Sequence, residues 1–460
     1  MDKICKGECI YGKCPFPYCI RHRKKRAEYV KRAAGAAVLM DFKEKNIVSD
    51  KNGYGFAVDV GTTTVAAYLY DLSAVKLLSA KSAVNPQTVC GTDVLSRISY
   101  CEKQPEGLAE LQKLIVKELD GLFYEMCEEA RINRSDVKYA CVSGNTVMLH
   151  LLAGISPVSM GTYPFTPESL FDTVFSGEEL GFEKKDMKIY FPPCISAFVG
   201  ADITCAVLAS GMLEDERVSL LIDLGTNGEI VIKTKDGLFV TSAPAGPAFE
   251  GASIECGMAA VEGAVSEVCP FDGRLEFKVI GDKDASGICG SGIFDTIAFF
   301  LKAGAIDKTG LITCENSIKE EFKKYIVSDG GNLRIQLTDK VYITQKDIRE
   351  IQNAKAAVLA GIETLLEKTG IKKESIGRVY IAGGFGNAVR VSSAVEAGLI
   401  DKSFEDKTMN IGNGSAAGAV MLLLNDGYRR IAKEISQNAA HIEIGGDEYF
   451  QKRFIADMDF

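Results

Sequence analysis

Two apolar, β-rich runs flank a polar Gly-Thr turn in FAVDVGTTTVAAYLYDL, Phe56 to Leu72. Short apolar runs rich in β-branched and aromatic residues on either side of a turn predict two strands closed into a hairpin. The same pattern returns in SLLIDLGTNGEIVIKTKDG, which predicts a second hairpin with an Asp-Gly turn at Asp236 and Gly237. Between the two, apolar residues recur at a helical period. Leu108, Leu111, Leu114, Ile115, Leu119 and Leu122 recur at helical spacing and predict a helix from about Gly107 to Arg131. YACVSG then reads as a short buried strand leading into a helix at NTVMLHLLAG. In the second half, Ile348, Ile351, Val358, Ile362, Leu365 and Leu366 share one face of a helix. It opens at Thr344, where TQKD matches a capping box, and stops near Gly370. RVYIAGGFGN predicts a strand and a Gly-rich turn, and GNGSAAGAVMLLL a closing helix. Strands and helices alternating in one order, written twice, predict an α/β protein of two related lobes, 54–213 and 214–425. A tail at 426–460 follows; a Cys-rich segment (1–22) and a charged helical linker (23–53) precede.

The repeated turn carries chemistry. Asp59 with Gly61, Thr62, Thr63 and Thr64, and Asp223 with Gly225, Thr226 and Asn227, each form an Asp-x-Gly-Thr turn after an apolar strand. Glycine lets backbone N–H groups approach an anion closely, and threonine hydroxyls add donors. The carboxylate repels phosphate; it suits Mg2+ held through its waters, or the water that attacks a terminal phosphate. Two such turns in corresponding parts of two lobes predict a cleft that grips a phosphate tail from both sides. Gly383, Gly384, Phe385 and Gly386 directly follow a strand and predict the surface on which adenosine lies. GECIYGKC, Gly7 to Cys14, nearly spells a P-loop, but it ends in Cys and follows no strand.

Composition narrows the partners. With 47% apolar and 25% charged residues the chain can build a sizeable core, and a net charge of −9 argues against nucleic acid. Neither a membrane-length apolar run nor a secretory h-region is visible, so no membrane partner and a cytoplasmic location are expected. The basic run from Arg21 to Arg32 reads equally as a solvated helix face or a docking patch. His22, His150 and His441 form no constellation, and His150 on an apolar helix reads as structural. Of 14 cysteines, those from Cys90 to Cys314 are scattered without ligand spacing. Cys5, Cys9, Cys14 and Cys19 are spaced C-x3-C-x4-C-x4-C and can enclose one metal centre. An iron–sulfur cluster such as 4Fe-4S, a structural zinc, and no metal all remain open for them.

The ordered motifs DVGTTTV, GNTVMLHLLAG, DLGTNGE, AGGFGN and GNGSAAGAVM resemble the superfamily of acetate and sugar kinases, heat-shock chaperones and actin. The resemblance covers nearly all of 54–425 and implies a two-lobed actin-like ATPase with the nucleotide in the interlobe cleft. NPQTVCGTDVLSRI, FVGADITCAVLASG, AGPAFEGASI, GICGSGIFD and TQKDIREIQNAKAAVLAGI are in turn similar to the ATP-dependent reductive activators of corrinoid-dependent methyltransferases. That resemblance implies ATP and Mg2+ as ligands, a low-potential electron donor, and a corrinoid protein or other metalloenzyme as partner, reduced from cob(II) to cob(I). Carried over by motif, Asp59 and Asp223 handle Mg2+ and the hydrolytic water, and the two turns hold phosphates. Glu229, Gly246, Glu250 and Lys355 are assigned to the cleft, with Cys289 facing the nucleotide. Such activators typically begin with a plant-type ferredoxin domain; here the four-cysteine stretch stands in its place as the expected electron carrier. Two other readings stay open, a small-molecule kinase on the same fold and a regulatory ATPase with a zinc-binding N-terminus, as does a homodimer.

Overall fold

Strand β1 (Tyr54–Val60) turns into β2 (Thr64–Asp71), and β3 (Lys76–Val84) returns beside it, all antiparallel. β4 (Val137–Gly144) lies parallel on the other side of β1. β5 (Thr173–Ser176) and β6 (Lys188–Phe191) complete a six-stranded sheet in the order β3-β2-β1-β4-β6-β5. The chain then repeats the plan. β7 (Val218–Leu224), β8 (Gly228–Thr234) and β9 (Gly237–Ala243) are antiparallel neighbours, the last two joined by a turn at Lys235 and Asp236, one residue earlier than expected, so that Gly237 begins β9. Two small sheets intervene, made by β10 (Ala264–Phe271), β11 (Arg274–Val279) and β12 (Gly287–Ile288), and by β13 (Ile326–Asp329), β14 (Asn332–Gln336) and β15 (Tyr342–Thr344). Then β16 (Ile376–Ala382) and β17 (Thr408–Gly412) add in parallel beside β7. The order β3-β2-β1-β4-β6 thus recurs as β9-β8-β7-β16-β17. This computed structural model describes residues 47–313, 318–384 and 389–460. Cys5, Cys9, Cys14, Cys19, His22, the basic run, Cys314, Phe385 and Gly386 lie outside the described residues.

Helices Ala201–Ser210 and Gly414–Leu424 pack on each other, one emerging from each half. A Cβ on Gly418 would lie 2.2 Å from the Cys205 carbonyl oxygen, so the crossing requires glycine. Around them one buried cluster unites Ala57, Tyr68 and Cys141 of the first sheet with Leu221, Val231 and Tyr380 of the second. The helix expected at 107–131 spans Gly107–Ala130, and Gln345–Thr369 begins at the expected capping box. There Thr344 Oγ1 accepts from Asp347 N at 3.2 Å and Asp347 Oδ2 accepts from Thr344 N at 2.8 Å. Gly370 ends it in the left-handed region, φ 67°.

Two expectations are corrected. The described end of the supposed helical linker, residues 47–53, carries no helix; Ile47 is buried in the cluster between the sheets. Nor is 426–460 an appended tail. β18 (Ala439–His441) pairs in parallel with β9 at the sheet edge, and helix Glu448–Ala456 packs on helix Gln345–Thr369. A three-residue strand has too few positions to show a period, so only its pairing reveals it. Among the described residues no helix is long and apolar enough to cross a membrane.

Candidate functional site

Each Asp-x-Gly-Thr turn closes on itself through the N–H of its glycine, the first over one residue more than the second. Gly61 N donates to Thr64 O at 3.0 Å, and Gly225 N to Asn227 O at 3.0 Å. A Cβ on Gly61 would meet Thr64 O at 2.6 Å, which explains the glycine. The first turn is braced from behind by NPQTVCGTDVLSRI. Asn85 Nδ2 donates to Gly61 O at 2.8 Å, Arg97 Nη2 to Thr62 O at 2.5 Å, and Asn85 N to Thr63 O at 2.8 Å. In a trans peptide the carbonyl and the following N–H point in opposite directions. Three successive carbonyls held from behind therefore turn the N–H groups of Thr62, Thr63 and Thr64 away from the brace. Arg97 is fully buried, its other donors going to Gly91 O (2.9 Å) and Gln87 Oε1 (3.2 Å), and burial pulls its pKa down to about 10.

Both turns open onto one cavity of about 380 Å3. Its wall brings together Asp59, Gly61, Thr62, Thr63 and Thr64 with Asp223, Gly225, Thr226, Asn227 and Glu229, and adds Glu250, Gly383 and Gly384. Gly383 has φ 98°, and a Cβ there would lie 2.5 Å from Leu224 O; the Gly-rich turn lies directly against the second hairpin. Cys289 also lines the wall, at the N-cap of helix Gly290–Lys302, its thiol pushed up by burial. Two assigned residues fall elsewhere. Gly246, φ 74°, lies outside the wall and starts the short turn Pro247–Glu250 that delivers Glu250. Lys355 is not a cleft residue: its buried Nζ donates to Asp457 O (2.6 Å) and Asp459 O (2.5 Å), anchoring the C-terminal strand of chain. His150 is structural, with Nδ1 2.7 Å from Thr146 O and Nε2 accepting from Ser169 N at 3.2 Å.

Five carboxyl groups share the cavity, Asp59, Asp202, Asp223, Glu229 and Glu250. Burial, the leading cause, holds every one of them above the ordinary carboxylate range. Mutual repulsion adds to it: Asp59 helps push Asp202 up to about 7, and Asp202 in turn raises Asp223 and Glu229. Opposing this, Asp59 accepts from Asn413 Nδ2 (2.8 Å) and Ser415 Oγ (2.7 Å). Among the described residues no three such groups converge to ligate one ion directly. The set fits Mg2+ nonetheless, because that ion keeps several waters and takes one or two carboxylates together with substrate phosphates.

Asp202, Asn145, Asn413 and Ser415 belong to the site and were not singled out from sequence. A signal existed: the strand-Gly-Asn-helix junction is duplicated at Gly144–Asn145 and Gly412–Asn413. Both asparagines cap their helices, through Met148 N (2.9 Å) and Ala416 N (2.8 Å). Both also turn their amides inward, Asn145 to Thr62 Oγ1 (3.1 Å) and Asn413 to Asp59.

Residues 54–215 match the family description "RACo middle region", and residues 217–460 match "C-terminal domain of RACo the ASKHA domain". The chain belongs to the RACo family. Among its relatives, the corrinoid activation enzyme RamQ of Eubacterium limosum is 35% identical over 437 residues, 92% of this chain and 72% of that protein. The [Co(II) methylated amine-specific corrinoid protein] reductase of Methanosarcina barkeri is 26% identical over 444 residues, 88% and 77% of the two chains. The solved structure of a reductive activator for corrinoid, iron-sulfur protein matches with a TM-score of 0.83 at 33% identity, over 90% of this RACo chain and 67% of that one. The two-lobed ASKHA architecture expected from the motif order is the fold of the described chain.

Proposed function

We propose that this RACo chain is an ATP-dependent reductive activator, coupling binding and hydrolysis of Mg·ATP to the one-electron reduction of a partner corrinoid protein from cob(II) to cob(I). The observation that carries the reading is the meeting of both Asp-x-Gly-Thr turns and five carboxyl groups on one cavity. It is supported by relatives whose names describe corrinoid activation and corrinoid reduction. The turn N–H groups and the hydroxyls of Thr62, Thr63 and Thr226 take phosphate oxygens, and Gly383 and Gly384 lie along the nucleoside. Asp59 and Asp223 would hold Mg2+, and the ion would supply the positive charge that lets phosphates enter so acidic a cleft. Asp202, on the same cavity wall, is the carboxylate assigned in this reading to accept the proton of an attacking water.

On the electron side, Cys5, Cys9, Cys14 and Cys19 hold an iron–sulfur cluster, reduced by a low-potential donor, in this proposal. Moving a two-state cleft from 1:99 to 99:1 takes about 5.5 kcal/mol of differential binding, enough to offset an uphill one-electron gap of roughly 0.2 V. The test mixes anaerobically reconstituted protein with donor and corrinoid protein and follows the cob(II) absorption. We expect reduction that requires ATP and falls at least about 100-fold in Asp223→Ala. Equal rates without ATP would overturn the coupling; zinc without iron in the reconstituted protein would overturn the cluster.

A further inference from the structure

The short turn Pro247–Glu250 follows β9 and is flanked by Gly246 and Gly251, both with positive φ. Phe249 anchors it, fully buried with its ring centroid 5.7 Å from that of Phe294. From this fixed base the Glu250 side chain reaches into the nucleotide cavity. There Glu250 Oε2 accepts from Thr226 Oγ1 at 3.1 Å, and Thr63 lines the same cavity wall, its hydroxyl favouring the charged form of the Glu250 carboxyl group. Thr63 sits in the first turn and Thr226 in the second, so one carboxylate faces both halves of the cleft. It does so at the hydroxyls that the proposed function assigns to phosphate.

A carboxylate and a terminal phosphoryl group present the same face to two hydroxyls, that of a small anion with several acceptor oxygens. They also repel each other, in a cavity where Asp59 already acts on Glu250. We propose that Glu250 is the residue by which the cleft distinguishes a nucleoside triphosphate from a diphosphate. Its carboxylate holds the hydroxyls of Thr63 and Thr226 when no terminal phosphoryl group is present, and is displaced from both when one arrives. Because Phe249 fixes the backbone, displacement is a rotation of the Glu250 side chain. The bridge then exists in one state and not in the other, which is the differential contact a nucleotide needs to shift the two halves. This inference rests on the ATP site proposed above and adds to it the group that senses the terminal phosphate.

Calorimetric titration of the full chain with a non-hydrolysable Mg·ATP analogue and with Mg·ADP tests it. In Glu250→Ala the triphosphate analogue is expected to bind about tenfold tighter, the weight of one charge-assisted hydrogen bond, with ADP affinity unchanged within about twofold. Glu250→Gln, which keeps the shape and loses the charge, shifts the ratio in the same direction by less. Equal shifts for both nucleotides, or weaker triphosphate binding in either variant, overturns the inference and leaves the ATP site standing. Failure of the unaltered protein to bind either nucleotide overturns the ATP site itself.

Discussion

Asp202 is the residue at which burial and charge combine most directly. It stands at the start of helix Ala201–Ser210, within a cavity that also holds Asp59, Asp223, Glu229 and Glu250. Its pKa of about 7 lies above that of the unfolded chain. A carboxyl group so raised contributes stability that is fully present below the unfolded value and is lost as pH rises through about 7. Without divalent metal, the melting temperature should therefore fall between about pH 4 and pH 7 and level off above that. Mg·ADP should remove most of that fall by compensating the ionised carboxylates, and EDTA should restore it; scanning fluorimetry across the pH range reads both. Asp59 and Asp223 were legible in the sequence because the same motif is written twice around them. Asp202 was not, since an aspartate at a helix start is ordinary and only the fold brings it beside two others. Lys355 errs in the opposite direction, a lysine within a family motif whose amine the fold directs to backbone carbonyls some hundred residues away.

Among the elements, the β1–β2 hairpin depends on a brace that its own sequence does not contain. Arg97 delivers three donors to Thr62 O, Gly91 O and Gln87 Oε1, and so fixes the turn on which phosphate is proposed to rest. Replacing it with methionine leaves those oxygens buried without their donor, and should cost about 2–4 kcal/mol in urea denaturation. Arg97→Lys should recover only part of the loss, because an ammonium group cannot reproduce the planar fork. Nucleotide affinity should fall in the same order. The hairpins, the helix at Gly107–Ala130 and the capped helix at Gln345–Thr369 were legible because each carries its own period and its own start and stop signals. The two small sheets between β9 and β16 were not. Their strands are short, and β12 has two residues whose only strand signal is a partner in β10.

For the molecule as a whole, the two halves meet through helices Ala201–Ser210 and Gly414–Leu424, and Asn413 and Ser415 carry that contact up to Asp59. The C-terminal residues close the second half. Lys355 Nζ binds Asp457 O and Asp459 O, Gln352 Nε2 donates to Met458 O at 2.9 Å, and Phe460 N donates to Lys308 O at 2.8 Å. Deleting Asp457–Phe460 strands the Lys355 amine away from its acceptors and should destabilise the protein by about 3 kcal/mol. Lys355→Met should cost less in the shortened chain than in the full one, a coupling that a double-mutant cycle by urea denaturation measures.

The sequence by itself determined the duplicated hairpins, the α/β alternation and the two aspartates at the turns. Period, turn chemistry and helix caps are local properties, complete within a few residues of chain. Only the tertiary structure decided that Glu250 bonds to the second turn on a wall it shares with the first, that Asp202 shares the cavity, and that Lys355 serves the C-terminus. Those facts depend on which side chains meet across segments 24 to 356 residues apart, as in Thr226 with Glu250 and Asp59 with Ser415, and no local pattern encodes such a meeting.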